Sequence, residues 1–489
     1  MDAPVIIVGA GPSGLVLAAE LRLAGVEVFV LDKLEQRSGE SRGLGFTART
    51  LEMFDQRGLV PRFGDVEISP MGHFGGVPMD YSVLEGSHFG ARGIPQHRVE
   101  AVLEEWATEL GAEIMRGWEV VAVTADDEGV EVEAVHGEAH QRLRAGYLVA
   151  CDGGRSTVRR LAGFDFPGTD ATIEMYLADV AGCDLPARQI GEKKPGGMVM
   201  SAPLGEGVDR IIVCERGTPP RRRTEPPTFT EVAAAWQRLT GEDISHGEGR
   251  WVSAFGDATR QVTEYRRGRV LIVGDAAHVH LPAGGQGLSV SVQDAFNLGW
   301  KLAAEVLGWA PPDLLDSYHR ERHPVGARLL MNTQAQGMLY LSGEDMEPLR
   351  TVFAELMRHE EVLRHLSGMV SGLAIRYDLE GGHPLVGMRL PKADLVGEQG
   401  KTTTTAPLRQ GRGAFLDLRD DPDGLCAVAR RWPERVDVVA AQPHELAQGS
   451  PLAGVPALLV RPDGYVAWVG TDADGLARAM ERWFGPATA

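Results

Sequence analysis

Gly9-Ala10-Gly11-Pro12-Ser13-Gly14 stands between an apolar run, PVIIV at 4–8, and a helix-spaced run from Leu15 to Ala24. A second strand-like run, Glu27 to Leu31, ends on Asp32. Nothing else in the chain restricts its fold so tightly. Strand, glycine turn, helix and second strand in that order make a βαβ unit carrying the G-x-G-x-x-G dinucleotide fingerprint. Gly9 permits the tight turn, Gly11 lets the backbone approach a pyrophosphate, and Gly14 lets the helix pack close to the strand. Ser13 sits at the start of that helix, whose N-terminus offers unpaired N–H groups and a positive dipole end to phosphates. Asp32 lies 18 residues past Gly14, where a carboxylate accepts hydrogen bonds from an adenosine ribose.

Two further segments share this logic. Residues 269–302, RVLIVGDAAHVHLPAGGQGLSVSVQDAFNLGWKL, begin as a buried strand from Val270 to Val273 and stop on Gly274-Asp275. A Gly-rich loop and a long amphipathic helix follow, and the helix is expected to begin near Ser289. An acidic side chain and bare backbone amides at the carboxyl end of a strand suit a polyol-phosphate. His278 and His280 in that loop have the chemistry to assist phenol deprotonation, but a structural role is expected for both. Residues 147–163, YLVACDGGRSTVRRLAG, form a strand ending on Asp152-Gly153 before a helix start. Ser156 is positioned to cap that helix. Arg155, Arg159 and Arg160 crowd its first turn against the dipole, which leaves open carboxylate pairing, a phosphate contact or a surface salt-bridge cluster.

At 489 residues the chain exceeds one ordinary core, so two or three domains are expected. The net charge of −19 argues against nucleic acid or an anionic membrane as partner. No apolar run reaches the roughly 18 residues that span a bilayer, and no basic segment precedes the first strand, so a cytoplasmic location is expected. Cys151, Cys183, Cys214 and Cys426 are far apart and show no C-x-x-C or metal-ligand spacing, so no metal is expected. Residues 97–111 read as an amphipathic helix with a Gly stop. Residues 174–215 and 250–265 alternate like strands, and the arginine-bearing TPPRRRTEPP at 218–227 between them reads as a solvated loop. The expected division is a discontinuous cofactor domain (1–75, 96–173, 268–330), an inserted sheet domain (76–95, 174–267), a helical segment (331–380), a Gly/Pro/Thr-rich linker (381–412) and a small α/β domain (413–489).

Together, Gly9-x-Gly11-x-x-Gly14, Asp152-Gly153 and Gly274-Asp275 resemble the three fingerprints of the class A FAD-dependent aromatic monooxygenases, built like para-hydroxybenzoate hydroxylase. The likeness runs along nearly the whole chain and includes GESRGLGFTARTLEMFDQRG at 39–58. The strings GHFGG (72–76), GFDFPGT (163–169), EMYLAD (174–179), RQVTEYRRGRV (260–270) and LLMNTQAQG (329–337) resemble more narrowly the actinomycete polyketide hydroxylases that act on angucyclines. The resemblance implies an α/β fold: a Rossmann-type FAD domain, an inserted mixed-sheet substrate domain, and a C-terminal thioredoxin-like domain without its Cys pair. It implies that Asp32, with Lys33 beside it where Glu-Arg is commoner, meets the adenosine ribose. Asp275 would hold the ribityl and pyrophosphate region, and the backbone of Pro282 and of Gly285, Gln286, Gly287, Leu288 and Ser289 would face the flavin. Arg42 and Gln96 match positions that touch FAD, Val120 a backbone contact to adenine, and Asp152 a segment linked to FAD and the nicotinamide. Ser289 departs from the family, where Asn is usual; as an N-cap, Ser is about as good.

The implied reaction is hydroxylation of a polycyclic aromatic polyketide of the angucyclinone type, in antibiotic biosynthesis, through a C4a-hydroperoxyflavin. NADPH or NADH is the transient reductant and O2 the co-substrate. Only one dinucleotide fingerprint is present, so the nicotinamide has no Rossmann domain of its own. Gly39, Gly43 and Gly45 around Arg42 leave room for a swinging flavin. No catalytic side chain is assigned. His73 and Phe74 are candidate pocket-entrance residues, with wall or core as the equal alternative. The C-terminal domain is expected to be structural or an oligomer contact, in a monomer or homodimer. A flavin-dependent halogenase would share the FAD frame but needs a W-x-W-x-I-P element that this chain lacks. A non-catalytic flavin-binding partner protein is the other rival.

Overall fold

The computed structural model describes residues 1–487 except 42, 66, 85–89, 93, 222, 399 and 420–422. Its main sheet runs Arg266–Arg267, Val270–Ile272, Ala139–Ala150, Ala3–Val8, Val28–Asp32, Glu113–Arg116 in spatial order. The last five of these are parallel. A parallel sheet must be covered on both faces, and its strands are apolar accordingly: Val5, Ile6, Ile7, Val30, Leu148, Val149, Leu271 and Ile272 are fully buried. The Pro12–Leu23 helix covers it and packs against the Gly287–Val306 helix. Gly299 makes that approach possible, since a Cβ there would lie 2.6 Å from the Glu20 Cβ.

A second sheet orders Arg188–Lys194, Gly197–Gly205, Val208–Glu215, Glu174–Ala181 and Glu248–Gly256, all antiparallel. The alternation of its strands assigns two faces. Tyr176, Ala178, Val180, Val199, Ile211 and Val213 pack under the Phe229–Thr240 helix, which opens with a capping box between Thr228 and Glu231. Met175, Met198 and Cys214 point the other way, toward Leu281, Ala283 and Tyr340. The described part of the 218–227 segment is an irregular, mostly exposed chain, as expected, and two of its arginines are tied down by carboxylates. Arg223 pairs with Glu174 and Glu231, and Arg221 with Glu231.

The helices Ser317–Leu341, Glu347–Leu356 and Glu360–Ser371 follow the main-sheet segments. The C-terminal unit is a four-stranded sheet, Val436–Ala440, Gly413–Asp417, Ala457–Val460, Val466–Val469, with the Ala473–Phe484 helix beside it. Two expectations need correction. Residues 381–412 are not a linker. Asp394–Gly397 and Gly400–Thr403 form a hairpin, and Leu385, Leu390, Leu395 and Leu408 are buried with the C-terminal sheet. Glycine, proline and threonine there make turns and a short hairpin, while the sparse leucines supply the core. The long helix also starts at Gly287, before Ser289. No helix among the described residues is long and apolar enough to cross a membrane.

Candidate functional site

The three glycine-acid segments meet at the carboxyl edge of the main sheet, in adjacent positions. Their loops are joined by backbone hydrogen bonds: Gly9 N–H to Leu31 O (2.7 Å), Cys151 N–H to Val8 O (2.7 Å) and Val273 N–H to Ala150 O (2.9 Å). Strand order 28–32, 3–8, 139–150, 270–272 brings Asp32, Gly9, Asp152 and Asp275 along one rim. In open α/β sheets ligands bind in the crevice outside these strand ends.

The fingerprint glycines divide by what surrounds them. Gly9 is at φ +105°, and a Cβ there would overlap the Cys151 carbonyl; one on Gly14 would overlap the Gly9 carbonyl. Gly11 has nothing within 4 Å of its Cβ position. The first two glycines answer the protein's own packing, and Gly11 faces open space. Ser13 is buried in the first helical turn. Asp32 accepts from the Ala10 N–H (2.7 Å) and the Leu34 N–H (2.8 Å), which holds its carboxylate beside the glycine turn. Lys33 is exposed. Trp118 N–H donates to Asp32 O (2.9 Å), bringing the strand of Val120 alongside. Val120 itself is buried.

Gln96 opens the Gln96–Glu109 helix and clasps the loop around Gly43. Its N–H donates to Gly43 O (3.1 Å), its Oε1 accepts from Gly43 N–H (3.3 Å), and its Nε2 donates to Glu100 (2.8 Å). Arg42 lies outside the described residues. Asp152 accepts through Oδ2 from the Thr157 and Val158 N–H groups, at 2.7 and 3.0 Å. Its Oδ1 is buried with no hydrogen-bond partner among the described residues. Ser156 caps the short helix as expected, accepting from Arg159 N–H at 2.9 Å. Among the described residues Arg159 pairs with no carboxylate, and its side chain is buried. It donates to the Ala276 and Gly154 carbonyls and covers the Phe166 ring, tying two rim loops together.

Asp275 is exposed in a 3-10 turn and accepts from Ser291 Oγ at 3.1 Å. Pro282 and Gly285 are exposed, and Gly285, at φ +65°, also has open space at its Cβ position. The helix then begins with Gln286 at the N-cap; Gly287, Leu288 and Ser289 precede the Val290 N–H that makes the first bond back to Gln286 O. Ser289 is therefore not a cap. It is fully buried, and its Oγ accepts from the Thr47 N–H at 2.9 Å, fastening the Ala48–Gln56 helix start. The Gly285-Gln286-Gly287 turn reaches helical geometry before Ser289, which rotates that side chain toward residue 47.

Both histidines make contacts within the protein. His278 is fully buried, with Nε2 3.1 Å from Asp294 Oδ2. Burial alone would raise the Asp294 carboxyl; Arg322 (2.6 Å) and His278 outweigh it and hold it below the usual carboxylate range. His280 Nδ1 lies 2.7 Å from the Leu281 carbonyl, so Nδ1 carries the proton and Nε2 turns toward Gly287. Burial, and then His278, push its imidazole below the usual range. Asp294, Asn297 and Lys301 went unread in the sequence. Their spacing on an otherwise apolar helix was the available signal.

His73 and Phe74 take different roles. Phe74 is core, packed with Met79, Leu339, Met357 and Val370. His73 is partly exposed and stacks on Tyr340 at 5.8 Å, beside the second face of the inserted sheet. That face meets the 281–283 loop through an apolar wall of Met175, Met198, Cys214, Leu281 and Ala283. A flavin nucleotide fits the rim on three observations: open space at Gly11 and Gly285, the exposed Asp275, and the unpartnered Asp152 Oδ1.

Comparison with known proteins agrees. The family model described as FAD binding domain matches residues 2–333, and that described as aromatic-ring hydroxylase, C-terminal matches 383–487. The crystal structure of CabE, an aromatic hydroxylase from angucycline biosynthesis, superposes with a TM-score of 0.97 at 62% identity, all of both chains being covered. Anhydrotetracycline monooxygenase of Streptomyces rimosus is 43% identical over 499 residues, 99% of each chain. Rifampicin monooxygenase of Streptomyces venezuelae is 42% identical over 492 residues, again 99% of each.

Proposed function

Because the chain belongs to the FAD-dependent aromatic-ring hydroxylases, we propose that it hydroxylates a polycyclic aromatic polyketide of the angucyclinone type in antibiotic biosynthesis. NADPH or NADH is the transient reductant and O2 the co-substrate. The observation that carries the substrate class is full-length likeness, at 62% identity, to a hydroxylase from angucycline biosynthesis. The buried apolar cluster between the inserted sheet and the 281–283 loop gives that side of the site an apolar backing, which suits flat fused rings.

In this reading Asp32 accepts from the adenosine ribose, with Lys33 beside it. The amides after Gly11, with Ser13 and Gly14 in the first turn, meet the pyrophosphate. Val120 backs the adenine. Gln96 holds the loop of Arg42 against the cofactor. Asp275 faces the polyol chain, Asp152 belongs to the segment that serves FAD and the nicotinamide, and the backbone of Pro282 and of Gly285 to Ser289 lines the flavin edge. FAD, held by these residues, would supply the redox chemistry by which O2 is reduced and one of its oxygen atoms is placed on the ring. The protein's contribution is to bind, aim and exclude water. The N-terminus of the Gly287–Val306 helix stabilises negative charge at the pyrimidine edge without a charged side chain, and Leu281, Ala283 and the second sheet keep the wall dry. An extended polyphenol ionises readily, so no dedicated base is required. The C-terminal unit is a thioredoxin-like fold in a structural role.

The test is NADPH oxidation by the purified protein with and without an early angucyclinone, with mass spectrometry of the product. Substrate-stimulated oxidation and a product heavier by one oxygen are expected. A protein that retains no FAD, or a product chlorinated in halide buffer, refutes the reading.

A further inference from the structure

A line of hydrogen bonds crosses from the 283–286 loop to the hairpin of Met71–Phe74 and Val77–Asp80. The Gly75 N–H donates to Gln336 Oε1 at 3.2 Å. Gln336 Nε2 donates to Asn332 Oδ1 at 2.9 Å, and Asn332 Nδ2 to Gln286 Oε1 at 2.9 Å. Gln286 Nε2 completes the line by donating to the Ala283 carbonyl at 3.2 Å. The three side chains are at most 3% exposed. The direction is forced. A backbone N–H at one end only donates and a carbonyl at the other only accepts, so each amide between them has one permitted orientation.

Both ends are tightly packed. A Cβ on Gly75 would lie 2.7 Å from Leu339 Cβ and 3.2 Å from the Gln336 carbonyl oxygen. One on Gly284 would lie 3.2 Å from Gln286 Nε2 and 3.6 Å from Gln336 Nε2. The same face of the Ser317–Leu341 helix carries Tyr340, which stacks on His73 and donates to the Ile190 carbonyl of the inserted sheet. Three buried primary amides are costly unless all are paired, and apolar side chains would fill this volume without imposing a direction. Asn332 and Gln336 belong to the LLMNTQAQG string, and Gly75 to GHFGG. Those two distant strings therefore touch each other here.

We propose that Asn332 and Gln336, acting through Gln286, are positioning residues that fix the 71–80 hairpin relative to the flavin-facing loop and so set where the aromatic substrate stops. The inference rests on the reading above that the loop from Pro282 to Ser289 faces the flavin. In Gln336→Glu the carboxylate still accepts from Gly75 but cannot donate to Asn332, so one link opposes two acceptors. Gln336→Met and Asn332→Leu remove links while keeping volume.

Two measurements test this on the full-length chain. Hydrogen–deuterium exchange is followed with and without FAD. In the wild type, FAD is expected to slow exchange in the 71–80 peptide as well as in 281–289; in Asn332→Leu protection is confined to 281–289. Turnover with NADPH and an angucyclinone is followed in parallel. The Gln336 variants are expected to retain FAD and oxidise NADPH, with the ratio of hydroxylated product to hydrogen peroxide lower by about tenfold and kcat falling more than KM rises. Gln336→Met keeps the test available if Gln336→Glu does not fold. Unchanged coupling in FAD-retaining variants, or a wild-type hairpin indifferent to FAD, overturns the inference. A wild type that binds no FAD at all refutes the flavin reading beneath it, and is recognised by its missing absorbance before any variant is made.

Discussion

Gly11 and Gly14 are three residues apart and answer to different neighbours. Gly11 has an ordinary φ of −81° and open space around its Cβ position, so alanine fits the folded chain. At Gly14 the same methyl would overlap the Gly9 carbonyl and lie 3.2 Å from the Cys151 Cβ. Gly11→Ala is therefore expected to leave the melting temperature of the FAD-free protein near the wild-type value while FAD retention falls sharply. Gly14→Ala is expected to lose roughly 1–3 kcal/mol of stability before any ligand is added, as overpacking does. Thermal melts of both FAD-free variants, with FAD titrations, separate the two; a Gly11→Ala protein that binds FAD normally removes Gly11 from the site. The tight turn at Gly9 and the close helix packing at Gly14 were legible in the sequence because they are local: a turn, a helix start and a strand end within a few residues. Ser289 was legible only as a departure. Its true partner, the Thr47 N–H, lies 242 residues away, and its place in the helix depended on where Gln286 and Gly287 start it.

The Gly287–Val306 helix couples the 282–286 loop to the core through its polar stripe. Asp294 meets His278 and Arg322. Asn297 donates to Glu321 and Asp463, and Lys301 donates to Asn297 and Glu321 at 2.8 and 2.9 Å. Burial pushes the Lys301 ammonium down to about 8 from 10.5, against the opposing pull of Glu321. Between about pH 8 and 10.5 the unfolded chain keeps a proton that the folded chain has released, so this group makes the protein more stable as pH rises through that window. Lys301→Met lacks the effect, and other groups titrate alike in both proteins. Urea unfolding at pH 7.5 and 9.5 is expected to shift the stability difference toward the wild type by about 1–2 kcal/mol at the higher pH. Equal differences at both values would mean that Lys301 keeps its proton throughout. At this scale the sequence showed which segments alternate and which repeat like helices. It misread 381–412 because glycine, proline and threonine signal turns equally well in a linker and in a hairpin. The leucines that bury that hairpin are too sparse to make a period.

The molecule as a whole is held by charges that no sequence pattern pairs. Arg57 forms a two-bond ion pair with Glu20, at 2.7 Å each, and donates to the Leu408 and Pro462 carbonyls. Arg49 donates to the Asp463 carbonyl. Arg461, at the end of a C-terminal strand, reaches Glu321 through both Nη atoms at 2.7 Å and also pairs with Asp463. Its guanidinium lies against Trp300, Tyr377 and Trp483. These partners are separated by up to hundreds of residues in sequence, and their pairing follows only from the docking of the C-terminal sheet on the two long helices. Cys426 is fully buried in that unit, consistent with a structural part and not an exchange-competent thiol. Arg461→Met would leave Asp463 and much of Glu321 uncompensated in a buried interface, a loss of about 3–5 kcal/mol. Arg461→Lys keeps the charge but not the two-pronged geometry, so it should recover part of that loss. Because Glu321 is bonded to Asn297 and Lys301 on the helix whose start we propose to face the flavin, Arg461→Met should also weaken FAD retention from the far side of the domain. Limited proteolysis should cut it between residues 372 and 393 while the wild type resists. An Arg461→Met protein within about 0.5 kcal/mol of wild type, with the same cleavage pattern and the same FAD affinity, would show that Arg461 is not what holds the C-terminal unit in place.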